Sequence, residues 1–392
     1  THRDQHQEQH GRVLLGVDPD ESLAAPKFKD GERLRTYDYV VANPPFSDKT
    51  WSTGLTPSND PWQRFAWGEP PTRQGDYAYL LHIIRSLKHA GKGACILPHG
   101  VLFRGNAEAV IRQQLVRSGI LKGIIGLPAN LFFGTGIPAC ILVLDKENAT
   151  ARKGVFMIDA SKGYLKDGNK NRLREQDIHR IVDTFTKQID TPRYARLVPF
   201  DEIADAKNDF NLNLPRYIDS SEPEDLQDID GHLRGGIPER DLDALGDYWQ
   251  VLPGLRAALF ESLRPGYAGL KLPLPEVKPA IFAHAEFTAF NRAATRRFAN
   301  WRAAVTPQLT AFAQDGHPKA LIETIAEALL ASFKEVPLLD AYDIYQHLMD
   351  YWAETMQDDA YLIAADGWVA KPARIVETDR KGKARDKGWT CE

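Results

Sequence analysis

Cysteine is scarce: three residues in a chain of 392. Cys95 and Cys140 lie in apolar, strand-like runs and Cys391 sits near the end, so no disulfide framework staples this fold. Buried, reduced thiols in a cytoplasmic setting are the expectation. Cysteine and histidine do not fall at spacings that chelate a metal, so no metal site is expected. Long apolar runs are missing too. No stretch is long enough to span a bilayer and no leader-like segment opens the chain, so no membrane partner is expected. Positive charge is not in excess. Lys and Arg number 49 against 53 Asp and Glu, a net charge of -4, so bulk electrostatics alone would not grip a polyanion. Closely spaced glycines are absent before residue 43, where only Gly11, Gly16 and Gly31 occur. The three histidines of the first ten residues read as a solvated tail. The remainder is an ordinary globular composition, 43% hydrophobic and 26% charged, long enough for two or three domains with ample core.

The strongest positive signal is Tyr37-Asp38-Tyr39-Val40-Val41-Ala42-Asn43-Pro44-Pro45-Phe46. An apolar strand runs straight into Asn-Pro-Pro-Phe. The prolines fix their own φ, and Pro44 biases Asn43 away from helix, so the loop is stiff. Neither proline carries an N–H that would compete for a ligand's acceptor. The Asn43 side-chain oxygen can accept one hydrogen of an exocyclic amine, and the Pro44 carbonyl can accept the other. Both bonds draw the lone pair out of conjugation and aim it at an electrophile. Phe46 offers a face on which a planar base can stack. The competing reading is a rigid turn, since Pro-Pro turns are common. Placement directly after a buried strand favours the chemical reading, because ligands bind at the carboxyl ends of strands in open α/β sheets.

Downstream, residues 1–200 read as the catalytic domain, 201–270 as a connecting region and 271–392 as a helical tail. Residues 11–18 form a candidate strand. The polar stretch Ser47–Gly75, with Trp51, Trp62 and Trp67, is either a lid or a structural flap. Gly75-Asp76 opens a helix carrying Tyr77, Leu80, Leu81, Ile84 and Leu87, and Gly91 ends it. A strand Ala94–Pro98 follows, then a helix capped by Asn106 and closed by Gly119. Strands Leu121–Gly126 and Ile137–Leu144 are too close for a helical crossover and are expected as an antiparallel hairpin. Strand 155–158, the polar run Lys162–Arg174, a helix 175–188 and a turn-rich Asn208–Tyr217 come next. The alternation predicts an α/β fold with a largely parallel sheet. A Pro-studded linker is expected from Tyr267 to Pro279. Three helical stripes follow, and the basic segment Lys371–Lys387 is expected to be solvated or disordered.

The strand and its Asn43-Pro44-Pro45-Phe46 loop resemble the catalytic motif of N6-adenine DNA methyltransferases. Gly75-Asp76-Tyr77-Ala78-Tyr79-Leu80, Ile96 to Phe103, Gly126 to Phe132 and Gly134 to Pro138 are similar to modification (M) subunits of type I restriction–modification systems. So are Ile158 to Ser161, Asn211 to Tyr217 and Tyr345 to Trp352. This resemblance implies a Rossmann-like methyltransferase sheet, S-adenosylmethionine as donor, and DNA as substrate. It also implies two M subunits on one DNA-specificity (S) subunit, with an optional restriction (R) subunit. With a net charge of -4, a partner subunit would supply most phosphate contacts. Carried over, Asn43, Pro44, Pro45 and Phe46 hold a flipped adenine, and Phe132 or Phe133 lines its other side or fills core instead.

One departure stands out. The family binds the donor with a glycine-rich loop after its first strand, and each βαβ unit needs about 30 residues. The residues before Asn43 cannot hold three strands and two crossover helices. The expectation is therefore an internal piece of a larger M subunit, with the main donor site missing and Asp18 as a remnant touching the donor. A strand Tyr37–Ala42 that lost its neighbour would expose an apolar edge. Two other readings share the motif: methyl transfer to guanine N2 of ribosomal RNA or to protein glutamine, and a catalytically incomplete docking subunit.

Overall fold

The computed structural model describes residues 23–221, 226–369, 372–378 and 384–391, in two units that divide after residue 223. The candidate strand at 11–18 and Asp18 lie outside the described residues. Among the described residues no helix is long and apolar enough to cross a membrane.

The first unit begins with a short hairpin, β1 (Lys29–Asp30) and β2 (Arg33–Leu34), and then builds one six-stranded sheet. Its main elements are β3 (Tyr37–Ala42), α1 (Asp76–Arg85), β4 (Leu87–Pro98) and α2 (Ala107–Arg117). After them come β5 (Leu121–Gly126), β6 (Ala139–Asp145) and β7 (Gly154–Asp159). A small hairpin of β8 (Leu165–Asp167) and β9 (Lys170–Arg172) precedes α3 (Glu175–Lys187), β10 (Ala195–Pro199) and α4 (Phe200–Ala204). The strand order is β10-β7-β5-β6-β4-β3. β3–β4 and β5–β7 pair in parallel, while β6 runs antiparallel to both neighbours, as the short connection from β5 demands.

Alternating residues of the central strands explain how the sheet is covered. Val155 and Met157 of β7 join a core with Ile124, Leu142 and the α1 and α2 side chains Leu80, Leu81 and Ile111. Phe156 and Ile158 point the other way, into a core with Ile125, Ala139 and Ile181 of α3. Each strand is thus apolar on both faces, which is why its sequence lacks polar alternation. Burying each such Leu or Ile is worth roughly 1.5–3 kcal/mol.

Several expectations shift. The first helix ends at Arg85 rather than Gly91. Ser86 caps it, donating its hydroxyl to the His82 carbonyl at 2.9 Å. Leu87, which continues the helical stripe in the sequence, instead starts β4 opposite Tyr37. Asn106 stands at the N-cap of α2 with no side-chain cap bond. The Trp-rich stretch is a structural flap. Trp51 is buried in the core, with its indole N–H donating to Pro71 O at 2.9 Å. Within the flap, fully buried Arg64 donates to Asp60 at 2.7 Å and meets His82 Nδ1 at 3.2 Å. β3 is the terminal strand among the described residues, with Tyr39 and Val41 about half exposed, in line with the expected open edge.

The second unit contains α5 (Ile229–Arg234), β11 (Ile237–Pro238), α6 (Glu239–Asp243), α7 (Gly246–Val251), α8 (Pro253–Leu259), β12 (Phe260–Arg264) and β13 (Tyr267–Leu270). The expected linker up to Pro279 is instead β13 followed by α9 (Leu274–Ala283), with Pro279 inside the helix. Next come α10 (Ala285–Thr310), α11 (Pro318–Phe333), α12 (Ala341–Tyr351) and α13 (Gln357–Asp366). The apolar stripes pack into one core around Ile325, Leu329, Phe333, Leu348 and Trp352. The basic end, expected to be solvated or disordered, contributes an antiparallel hairpin, β14 (Pro372–Thr378) and β15 (Ala384–Cys391).

Candidate functional site

The loop Asn43–Phe46 leaves the carboxyl end of β3, where the β4–α2 connection, the β5–β6 loop and the end of β7 also emerge. Asn43 and Pro45 are exposed, Pro44 is buried and Phe46 is half-buried. The Asn43 side chain makes no hydrogen bond to another described residue, so its amide oxygen is open to a ligand.

The backbone behind the loop is clamped. Ser47 adopts φ 53°, a left-handed conformation rare for a residue with a Cβ. Its N–H donates to Asp76 Oδ1 at 2.8 Å, and Gln74 Nε2 reaches both Ser47 Oγ at 2.8 Å and Asp76 Oδ2 at 2.9 Å. Asp48 accepts from Thr50 N–H, Thr50 Oγ1 and the Tyr79 hydroxyl, each at 2.8 Å. Burial alone would raise the Asp48 pKa, but those bonds hold it below the ordinary carboxylate value. Tyr79 is pushed up, by burial first and then by donating to Asp48.

Asp76 itself is fully buried at the start of α1 and pairs with Arg104. Arg104 Nε also donates to Glu108 Oε2 at 2.6 Å. Burial opposes the Arg104 charge, but Glu108 and Asp76 outweigh it and raise its pKa. Glu108 is raised by burial, with Arg104 pulling it back only in part. The guanidinium thus ties two buried carboxylates together beneath the loop, an arrangement costly to break from either side.

Phe46 packs edge-on against Phe132 of the β5–β6 loop, with ring centroids 5.4 Å apart and an interplanar angle of 65°. Inserting a base between two rings needs about 7 Å, twice a carbon–carbon contact. Phe132 therefore braces Phe46 from behind, and Phe133, next to it, is 94% exposed. His99, at the end of β4, donates its backbone N–H to Pro138 O at 2.9 Å. Burial lowers its imidazole pKa against the opposing charge of Asp159.

The loop and the clamp behind it are thus both formed among the described residues. Asp18 lies outside the described residues. Among the described residues no strand passes through closely spaced glycines into a helix; Gly134 and Gly136 lead into β6, a strand. Among the described residues no donor contact is assigned.

Asn43–Phe46 is legible in the sequence as a contiguous motif; the clamp of Gln74, Asp76, Tyr79, Arg104 and Glu108 is not. The Arg104/Glu108 pair at i,i+4 spacing and the acidic first turn of α1 were the available signals.

A strand delivers Asn-Pro-Pro-Phe to the carboxyl end of a helix-covered mixed sheet, with Asn43 exposed on a clamped backbone. The profile of the N-6 DNA Methylase family matches residues 10–226, and the chain belongs to that family. It is 31% identical over 257 residues to the type I restriction enzyme MjaIX methylase subunit of Methanocaldococcus jannaschii, covering 58% of this chain and 45% of that protein. It is 33% identical over 226 residues to the HindI methylase subunit of Haemophilus influenzae, covering 54% and 49%. A crystal structure of a type I methyltransferase subunit from Streptococcus thermophilus aligns at 39% identity and a TM-score of 0.42, over 47% of this chain and 38% of that one. The chain spans less than half the length of these relatives.

Proposed function

We propose that the protein acts as the modification subunit of a type I restriction–modification system, transferring methyl to N6 of a flipped adenine in DNA. Its partners in this reading are DNA, a specificity subunit, a second M subunit and an optional restriction subunit, in the cytoplasm. The observation that carries it is the exposed Asn43 on a backbone held by Ser47–Asp76. Asn43 Oδ1 and the Pro44 carbonyl accept the two amine hydrogens, localising the N6 lone pair. The Phe46 face stacks on the base and pays part of the cost of unstacking. S-adenosylmethionine, when bound, supplies the electrophilic methyl. Positioning and polarisation do the work of this chain's residues, with no covalent enzyme intermediate.

Asn43→Ala in the protein assembled with its specificity subunit is expected to abolish incorporation of labelled methyl into adenine, by about 10³-fold or more, at unchanged thermal midpoint. Retained activity would overturn the reading. Methyl recovered on ribosomal guanine or on a glutamine side chain would redirect it to another substrate.

A further inference from the structure

The polar run Lys162–Arg174 carries the β8–β9 hairpin, which offers the loop beside it backbone and ammonium donors in place of an apolar face. Its residues Leu165, Lys166, Asp167 and Arg172 are exposed. Lys170 and Asn171, half-buried, turn toward the β5–β6 loop. Lys170 Nζ donates to the Phe132 carbonyl at 2.8 Å and to the Thr135 carbonyl at 3.0 Å. Asn171 Nδ2 donates to Ala129 O at 2.8 Å, and Asn171 N–H donates to Asn130 O at 3.0 Å. The loop they bind packs Leu131 and Phe132 against the core, and it turns at Asn130 and Gly134, which have positive φ of 58° and 78°. Phe132 on that loop is the ring that braces Phe46.

We infer that the β8–β9 hairpin is a clamp on the acceptor pocket, and that Lys170 is a positioning residue that holds Phe132 against Phe46. This rests on the methyl-transfer reading above. One ammonium bridges the carbonyls on either side of Phe133-Gly134, closing the loop into a ring. An ammonium suits this because it has three donors, needs no acceptor and tolerates two carbonyls at once. With the clamp in place, Phe46 keeps the tilt that lets a base lie on its open face. Without it, the backbone that carries Phe132 loses its tether and the ring shifts against Phe46, and small misplacements in a reactive complex cost large factors in rate.

The test uses the protein assembled with its specificity subunit. Lys170→Met keeps the stem and removes the ammonium; Lys170→Arg restores a bridging donor. Saturating single-turnover methylation by Lys170→Met is expected to fall about 10–100-fold. The KM for DNA should stay within about twofold, the fluorescence of 2-aminopurine at the target base should change, and the thermal midpoint should stay unchanged. Lys170→Arg should recover most of the rate. In the free protein, amide exchange at Asn171 should quicken about tenfold in Lys170→Met and not in Lys170→Arg. Wild-type rate and exchange in Lys170→Met would overturn the clamp, as would a loss of rate matched by a loss of thermal stability that Arg does not restore. The exchange measurement reads the clamp whether or not the protein methylates adenine, so failure of Asn43→Ala to abolish transfer sinks the function and leaves the clamp standing.

Discussion

Arg64 meets the imidazole of His82 at Nδ1, 3.2 Å away, with Asp60 bound to the same guanidinium. Burial is the main cause of a lowered His82 pKa, with Arg64 adding to it and Asp60 opposing, and the value falls from the ordinary 6.5 to about 4. The neutral ring is therefore the folded form over most of the working range, accepting a hydrogen bond from Arg64. The sign follows directly. Above pH 6.5 neither state binds the proton and the full stability is present. Between 6.5 and 4 the unfolded chain binds a proton that the folded one refuses, so stability is lost as pH falls through that window and levels off below it. The loss is expected to be no more than about 3 kcal/mol. Thermal melts from pH 7.5 to 4 should show a slope in the wild type that His82→Gln reduces, since Gln still accepts from Arg64 but does not titrate. Parallel curves for the two proteins would show that His82 is not the titrating group.

Among the elements, α2 shows how tightly the connections around the sheet are made. Gly119 ends the helix with φ +68°, and a Cβ there would stand 2.1 Å from the Ala149 carbonyl oxygen. Both the backbone conformation and the contact require glycine. Gly119→Ala is expected to cost about 2 kcal/mol or more in urea unfolding, by the strain of the left-handed residue and the displaced turn. An unchanged midpoint would mean that the 149 turn yields freely. The helix and its glycine terminus were legible in the sequence, as were β5, β7 and α3, because each is a long apolar run or a clear 3.6-residue stripe. The start of β4 was not. Leu87 extends the stripe of Leu80, Leu81 and Ile84, and the helix gives way where the Ser86 carbonyl accepts from the Tyr37 N–H at 2.9 Å and Leu87 pairs with Tyr37. Pro279 read as a break because proline usually ends helices, yet α9 runs through it. The β8–β9 hairpin was invisible for a different reason. Its value lies in hydrogen bonds to carbonyls 35 to 42 residues away in sequence, and local patterning carries no trace of them. The acceptor motif was legible because its groups are contiguous; the clamp behind it was not, because Arg104 meets Asp76 across 28 residues.

Across the first unit as a whole, the sheet ends on β3 with nothing paired to its outer side among the described residues. Tyr39 and Val41 stand exposed there, and Asp38 is paired with Lys88 at 2.8 Å. One ion pair does little to blunt an apolar strand that is terminal among the described residues. The isolated chain is expected to self-associate, with a sedimentation coefficient that rises with concentration over the micromolar range. Tyr39→Lys should suppress the association without changing the far-ultraviolet spectrum. A wild-type chain that sediments as a monomer throughout would refute the exposed edge as a pairing surface.

Cys95 and Cys140 occupy neighbouring strands, β4 and β6, in the core of this same sheet, both fully buried. Burial pushes both thiols well above the ordinary range, so neither is a thiolate in the closed structure. The protein thus carries two silent sulfurs whose chemistry is withheld by packing alone. An alkylating reagent that marks either one has found the sheet open, and the pace at which it does so times the opening between β4 and β6.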